Sequence, residues 1–290
     1  MLTINPKEVS IPILHSYLQG AIAPRPIAFA STIDKEGNVN LSPFSFFNVF
    51  GTNPPTLIFS PNRRVRDGSS KHTLENVLEH DEVVICMVDY AMVEQMSLAS
   101  CEYEKGVNEF EKAGFTEGVS VMVKPPRVAE SKAVFECKVK QVIQMSDEGG
   151  APNLVICEVV LAHFSEDILS EDGNIDQTKT DWVARLGGDW YCRASGQALF
   201  EVPKPSIHKG IGVDAIPDFI KNDKSFTGND LGRLGNIEKL PTQDEIDLFI
   251  KTQAPENYYE LAKIFLKEGK IKEAWMALIY LNDYKSGPAD

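Results

Sequence analysis

The segment RPIAFASTIDKEGNVNLSPFS, residues 25–45, carries the clearest structural signal in the sequence. A short apolar run over residues 27–33 is followed by the polar turn residues 34–38 and by a second run that starts at Val39. Two such runs joined by a turn rich in Asp, Gly and Asn are typical of a β-hairpin. We therefore predict an antiparallel hairpin near the start of a β-rich domain.

Further segments downstream of this hairpin have strand character. In residues 133–139, apolar Phe135, Cys137 and Val139 alternate with polar residues, which predicts a half-buried strand. Apolar runs predict three more strands, over residues 56–60, 82–88 and 154–161. One helix is predicted over residues 71–78, with its apolar face formed by Leu74, Val77 and Leu78. Many short strands, Gly/Pro turns and few helices favour a closed antiparallel barrel over a parallel sheet.

The last third of the chain has a different pattern. We predict a β domain over residues 1–204, a connecting segment over 205–240, where Pro and Gly occur without periodicity, and a helical extension over 241–290. Thr242 and Glu245 form a capping box, and two amphipathic stretches around Gly269 resemble one tetratricopeptide-like helix pair. One repeat cannot bury its own apolar face, so we expect the extension to pack on the barrel or on another subunit.

Composition and charge exclude several classes of protein. The chain has 43% apolar residues and a net charge of −13, from 29 basic and 42 acidic residues. An acidic protein repels phosphate backbones, which disfavours a nucleic-acid partner. The sequence has neither an apolar run of membrane-spanning length nor a secretory signal pattern, so we expect no membrane association. Its five cysteines are scattered and odd in number, which indicates free thiols in a reducing compartment and predicts a cytoplasmic location.

Three common site signatures are absent or lack their context. The motif G-x-G-x-x-A at residues 210–215 lies between Pro205 and Pro217 with no strand before it, so it does not predict a dinucleotide-binding turn. The histidines show no metal-ligand spacing, and no G-x-S-x-G occurs. We therefore expect neither a metal site nor a serine hydrolase.

A basic cluster precedes the predicted helix. Arg63, Arg64, Arg66 and Lys71 fall within nine residues of an otherwise acidic chain, next to a helix start whose free N–H groups favour anions. Upstream, residues 42–47 combine hydroxyls with three phenylalanines. A phosphate site beside a flat apolar wall suits a flavin mononucleotide, FMN. The alternative is a solvated basic loop beside ordinary core phenylalanines.

Several motifs in order strengthen the first interpretation. They are Arg25-Pro26-x-Ala28-x-x-Ser31-Thr32, Gly37-x-x-Asn40-x-Ser42-Pro43-Phe44-Ser45, Pro54-Pro55, Lys71-x-Thr73, and the later segments 109–115, 125–137, 163–176 and 185–191. Over roughly residues 15–200, the chain resembles the flavin reductase-like family of FMN-binding, flavoredoxin-like split barrels. The resemblance implies a mainly β fold, an antiparallel Greek-key-like split barrel, here with a C-terminal helical extension.

The same resemblance implies a set of cofactor-binding residues. Those expected to line the flavin ring are Asn40, Ser42, Pro43, Phe44 and Ser45. Those expected at the phosphate and ribityl chain are Ser31, Thr32, Ser60, Arg66, Lys71, His72 and Thr73, and additional candidates are His163, Arg185 and Tyr191. His72 replaces the Asp that usually follows the family's lysine, so its role differs from that of a carboxylate. The resemblance also implies a homodimer with the flavin near the subunit interface.

The function implied is an FMN-dependent oxidoreductase that takes hydride from NAD(P)H and passes electrons to a small-molecule or protein acceptor. Hydride transfer to a flavin requires no general base, so no catalytic side chain is predicted. Arg25 or Arg185 is expected to hold the phosphates of the nicotinamide nucleotide. Two alternatives remain open: an FMN-binding electron-transfer protein without NAD(P)H turnover, and a degenerate barrel whose helical extension fills the pocket and serves assembly.

Overall fold

The structure is a computed structural model that describes residues 1–203, 209–253 and 255–285. The chain divides into two compact units, Met1–Phe200 and Glu201–Asp290. The predicted domain boundary at residues 204 and 205 and the C-terminal residues 286–290 lie outside the described residues.

The first unit is mainly antiparallel β-sheet with four helices. Its helices are α1 (Ile11–Ala21), α2 (His72–Glu79), α3 (Val93–Leu98) and α4 (Glu109–Ala113). Its strands are β1 (Ala28–Ile33), β2 (Val39–Phe44), β3 (Phe47–Thr52), β4 (Pro55–Phe59), β5 (Glu82–Cys86), β6 (Glu117–Gly118), β7 (Arg127–Val128), β8 (Ala133–Gln144), β9 (Asn153–Phe164), β10 (Trp182–Arg185) and β11 (Tyr191–Ala194).

Seven of these strands form one sheet in the order β2-β1-β5-β8-β9-β4-β3. All of its neighbours are antiparallel, and the predicted hairpin pairs β1 with β2 from Ala28↔Phe44 to Ile33↔Val39. Short two-stranded ladders join β6 to β7 and β10 to β11. The prediction of a mainly antiparallel β fold is confirmed.

The sheet is not closed into a complete barrel. Within the described residues, β2 and β3 are its two edges, and Ser45 and Phe46 connect them without a ladder between the strands. At the outer edge of β2, the Leu41 N–H donates to the Glu109 carboxylate at 2.9 Å. A side chain thus satisfies an edge group that another strand would pair in a closed barrel.

Alternation along the central strands places apolar side chains in two cores, one on each face of the sheet. Phe29 of β1 and Val84 of β5 belong to one cluster, whereas the adjacent Ala30 and Ile85 belong to the other. Helix α2 covers the second face with Leu74 and Val77, as predicted. Leu78, also predicted on that face, is instead 55% exposed because the buried face of the helix is centred on Thr73, Asn76 and Val77.

The second unit is helical and has its own core. Its helices are α5 (Asp218–Lys221), α6 (Gly228–Gly235), α7 (Gln243–Thr252), α8 (Tyr258–Lys267) and α9 (Ile271–Lys285). The predicted connecting segment, residues 205–240, takes part in this core. It contributes Ile216, Ile220, Phe226 and Leu234, which pack around the fully buried Trp275. Helices of four and eight residues are too short for a periodic signal. In the described part of the chain, no helix has the length and apolarity needed to cross a membrane.

Candidate functional site

A groove lies where the end of β2, the loop over residues 60–71 and the start of α2 meet. It encloses a cavity of about 270 Å³. Five predicted cofactor-binding residues line it, Pro43, Phe44, Ser45, Ser60 and Lys71. A smaller cavity shares Lys71 and adds four more of the predicted residues, Asn40, Ser42, His72 and Thr73. The structure therefore brings nine of the fifteen predicted residues to one place around Lys71.

Lys71 places a half-buried ammonium at this groove. Its Nζ lies 5.1 Å from the centroid of the Phe44 ring. Among the described residues, no hydrogen-bond acceptor or carboxylate contacts it. Burial lowers the pKa of Lys71 and the nearby Arg64 lowers it further, while the Glu102 carboxylate acts in the opposite direction without contacting Lys71. A half-buried ammonium without an anion is a binding site for an anionic ligand group.

The three arginines of the predicted basic cluster are neutralised within the protein. Arg63 pairs with Asp147 at 2.7 Å, and both Arg64 and Arg66 contact the Glu102 carboxylate. The side chain of Arg66 is 73% exposed and lines neither cavity. Arg64 does line both cavities. The structure thus places Arg64, rather than Arg66, next to Lys71.

The first turn of α2 presents backbone donors beside Lys71. The Leu74 and Glu75 N–H groups donate to the Lys71 carbonyl. In the part of the chain that the structure describes, the N–H groups of His72 and Thr73 have no acceptor. The positive end of a helix with free N–H groups favours a phosphate.

A buried hydrogen-bond chain supports this turn from behind. The Thr73 hydroxyl donates to Asn40 Oδ1 at 2.7 Å, and Asn40 Nδ2 donates to Glu109 Oε1 at 2.9 Å. Burial raises the pKa of Glu109, while its hydrogen bonds from Leu41 and Asn40 act in the opposite direction. Glu109 was not predicted as a site residue, because Glu109 and Glu111 in the first turn of a helix resemble ordinary charges that favour its N-terminus.

A second groove adjoins the first at Pro43 and Ser45. Arg185 and Tyr191 face each other across the β10–β11 ladder, and the Arg185 guanidinium carbon lies 4.5 Å from the centroid of the Tyr191 ring. Both residues line a cavity of about 150 Å³ shared with Pro43 and Ser45, and a larger one of about 540 Å³. These two predicted residues therefore lie beside the strand end that lines the first groove.

Three predicted residues lie elsewhere, in addition to Arg66. Ser31 and Thr32 are fully buried within the central strand β1, where Thr32 accepts a hydrogen bond from Asn76. His163, on β9, contacts the fully buried Glu136 at 2.7 Å. None of the three lines the grooves around Lys71 or Arg185.

Arg25 is not available to hold a nucleotide phosphate. It is 6% exposed, and its guanidinium donates to the carbonyls of Gln19, Ile22 and Leu186 at 2.5–2.8 Å. Through these hydrogen bonds, Arg25 connects the end of α1 to the loop after β10. Of the two arginines expected to bind the nicotinamide nucleotide, only Arg185 lies at a cavity.

The residues present fit an FMN molecule. Lys71 and the free N–H groups of His72 and Thr73 suit its phosphate, and the Arg63 Nε atom is buried without a partner in the adjacent loop. Hydroxyls of Ser42 and Ser45 suit a polyol, and the segment Pro43–Phe44 supplies apolar surface. The Ser60 hydroxyl is already engaged, because it donates to Asn62 Oδ1 and accepts from Asn153 N.

Comparison with known proteins gives related chains of similar fold. An uncharacterized protein of Aquifex aeolicus is 38% identical over 196 residues, which cover 68% of this chain and 97% of that protein. The crystal structure of nitrilotriacetate monooxygenase component B from Bacillus cereus is 31% identical, with a TM-score of 0.65, and covers 70% of this chain and 98% of that one. Pseudomonas fluorescens 2-nitrobenzoate 2-nitroreductase is 28% identical, with a TM-score of 0.62, over 70% of this chain and 96% of that one.

The family assignment follows from the first unit. Residues 21–179 match the family described as the flavin reductase like domain, and this range includes both the hairpin and Lys71. The resemblance predicted from the sequence motifs is confirmed. The chain belongs to the flavin reductase like domain family.

Proposed function

We propose that the chain binds FMN in the groove around Lys71 and catalyses the oxidation of NAD(P)H, with transfer of electrons to an acceptor. The observation that carries the proposal is the half-buried Lys71 ammonium, which no carboxylate contacts among the described residues and which lies beside free N–H groups of α2. Membership of the flavin reductase like domain family supports a flavin as the ligand. The two solved relatives, a monooxygenase component and a nitroreductase, support redox chemistry.

The phosphate of FMN is proposed to bind at the start of α2. Lys71 would supply the positive charge, and the N–H groups of His72 and Thr73 would donate to the phosphate oxygens. His72 adds no negative charge here, unlike the Asp usual at this position in the family, so this site repels a dianion less.

The flavin ring is proposed to lie along the end of β2. Residues Ser42–Ser45 offer apolar surface, hydroxyls and backbone groups on one strand that the β1 ladder holds in place. A bound flavin supplies reversible two-electron and one-electron redox chemistry, while the protein positions it and tunes its electronics.

The second groove is proposed to receive the nicotinamide nucleotide or the acceptor. It reaches the same strand at Pro43 and Ser45, and Arg185 gives it a cation for an anionic group. The geometry around Tyr191 allows a planar ligand to stack there. No acid or base is assigned, because flavin reduction by a nicotinamide requires none.

We further propose a cytoplasmic homodimer. Helix α1 exposes Ile11, Ile13 and Leu18, and strand β3 exposes Val49 and Phe50, each by about half or more. Large exposed apolar side chains on neighbouring elements of the groove mark an association surface. Sedimentation analysis should give twice the chain mass, and a monomer would contradict the proposed dimer.

The test uses the purified full chain with added FMN. We expect FMN to bind with a stoichiometry of one per chain and NADH or NADPH to be oxidised in the steady state. FMN binding without turnover by either nucleotide would instead indicate an electron-transfer protein. Failure to bind FMN would overturn the proposal and favour a barrel that serves assembly.

A further inference from the structure

A buried carboxylate lies next to the groove without a cationic partner among the described residues. Glu109 is 4% exposed, and its two oxygens accept hydrogen bonds from Asn40 Nδ2 and Leu41 N, both at 2.9 Å. Burial of an ionised group is costly unless it is paired or well hydrogen-bonded. Buried titratable groups beside a cavity are candidates for a functional role.

The charge of Glu109 fixes the direction of the hydrogen-bond chain. An ionised carboxylate only accepts, so the amide NH₂ of Asn40 must face it. The amide carbonyl then faces Thr73 and accepts the hydroxyl proton at 2.7 Å. Thr73 Oγ1 can therefore offer only lone pairs to the cavity that it lines with Lys71 and His72. Such an atom repels the oxygen of a dianionic phosphate.

A proton on Glu109 reverses this direction. The carboxyl O–H then donates to Asn40 Oδ1 after the amide has turned over, and Asn40 Nδ2 donates to Thr73 Oγ1. The Thr73 hydroxyl is released to donate to an oxygen in the cavity. The second carboxyl oxygen still accepts from Leu41 N, so the edge of β2 is undisturbed. The exchange takes one proton from solvent and involves no electrons.

We propose that Glu109 is a positioning residue that sets, through Asn40, whether Thr73 accepts or donates at the groove. Binding of a dianionic phosphate beside Thr73 then takes up one proton at Glu109. This inference rests on the proposed function, because FMN brings the phosphate. Burial raises the pKa of Glu109, which makes protonation easier than for an exposed carboxyl.

The other titratable groups around the carboxylate come from three neighbouring segments. They line the same cavity and are Arg64, Lys71, His72, Cys101, Glu102 and Tyr103. None of them is hydrogen-bonded to Glu109 within the described residues. Arg64 and Glu102 already pair with each other at 3.1 Å. Lys71 and His72 lie on the side of the proposed phosphate and are not part of the hydrogen-bond chain from Glu109 to Thr73. Reversal of that chain requires a proton at Glu109.

The test counts protons taken up when FMN binds. Calorimetric titrations in two buffers of different ionisation enthalpy, across a pH series from slightly acidic to alkaline, give this number directly. Where free Glu109 is ionised, we expect uptake to approach one proton per FMN. In that range, FMN affinity should fall by about tenfold per pH unit, the slope of a one-proton linkage. Absence of uptake at every pH would overturn the inference.

The variant Glu109→Gln mimics the reversed chain. Its amide Nε2 can donate to Asn40 Oδ1 while its Oε1 accepts from Leu41 N, so Thr73 is already a donor. At each pH in that range, we expect the variant to take up about one proton fewer per FMN than the unaltered protein, and the tenfold fall in affinity per pH unit should be lost. Glu111→Gln, an exposed change on the same helix, should behave as the unaltered protein. Equal uptake by Glu109→Gln and the unaltered protein would place the proton elsewhere and overturn the inference.

A second variant keeps the test independent of folding effects at Glu109. Thr73→Val removes the hydroxyl, so the chain need not reverse, and the variant should take up about one proton fewer per FMN than the unaltered protein. Riboflavin, which lacks the phosphate, should bind without uptake. FMN that does not bind, or binds no more tightly than riboflavin, would overturn the proposed phosphate site and this inference with it. FMN that binds more tightly than riboflavin without proton uptake would overturn this inference alone.

Discussion

Arg25 and Arg185 are joined by two backbone hydrogen bonds, from Arg25 N to Arg185 O at 3.0 Å and from Arg185 N to Arg25 O at 2.9 Å. The Arg25 side chain reinforces the connection by donating to the Leu186 carbonyl at 2.8 Å. This bridge fixes the entry to β1 against the strand that carries Arg185. The position of the strand that lines the second groove therefore depends on Arg25, whose guanidinium is already bonded to three backbone carbonyls.

Replacing Arg25 by Met should therefore destabilise the first unit. The change leaves the carbonyls of Gln19, Ile22 and Leu186 without their charged donor, and hydrogen bonds to charged groups contribute about 1.5–3 kcal/mol each. We expect the free energy of unfolding to fall by about 3 kcal/mol or more, measured by denaturant titration. Arg66→Ala, at an exposed arginine, is the matched control and should cause no measurable loss.

The Glu136 carboxylate gives a prediction for acid stability. Burial alone would raise its pKa, but hydrogen bonds from His163, Met122 and Val121 outweigh burial and hold the pKa below its usual value of 4.5. A carboxyl with a lowered pKa contributes stability above its unfolded-state pKa, and this contribution is lost as the pH falls through the folded-state value. Glu136→Gln should be less stable at neutral pH, and the difference should shrink below pH 4.5. A constant difference across the series would show that the charge is irrelevant.

The cysteines should differ in thiol reactivity according to how deeply each one is buried. Burial raises the pKa of Cys86 and of Cys157 to about 12 in each case. Only the thiolate reacts, so these two cysteines should resist alkylation until the protein unfolds. Cys101, an exposed residue, should be labelled quickly in the native state. Peptide mass spectrometry after brief labelling checks this order, and rapid modification of Cys86 would contradict the described core.

Trp275 is expected to control the stability of the second unit. Its side chain is fully buried, and Nε1 donates to the Leu234 carbonyl at 3.0 Å. Trp275→Ala should cost about 3–5 kcal/mol through the cavity that it leaves. Because the first unit has a separate core, FMN binding should survive this change. Trp190→Ala, at a residue 75% exposed, is the control and should leave the thermal unfolding midpoint unchanged.

The hairpin at residues 28–44 could be predicted because alternation and turn chemistry are local properties of the sequence. Helix α1 was missed. Its apolar residues Ile11, Ile13 and Leu18 stay exposed, so the usual core-facing pattern is weak. The sequence also did not show which face of β1 carries Ser31 or Thr32. A hydroxyl inside an apolar run is compatible both with a buried side chain and with one that contacts a ligand.

The candidate site was predictable in outline but not in its charges. The motif Lys71-x-Thr73 marks the helix start, and the structure places it beside Phe44. The neutralisation of Arg64 depends on Glu102, 38 residues away, and that of Arg63 depends on Asp147, 84 residues away. Partners so distant in sequence are brought together only by the tertiary fold.

The central claim, a flavin phosphate held by Lys71, is tested most directly by comparing FMN binding to the unaltered chain and to Lys71→Ala by calorimetry. We expect one FMN per chain and a loss of about 1.5–3 kcal/mol of binding free energy in the variant, the strength of a charge-assisted hydrogen bond. Riboflavin affinity should be nearly the same for both proteins. Equal FMN affinities for the unaltered chain and Lys71→Ala would contradict the claim, as would an unaltered chain that binds no FMN.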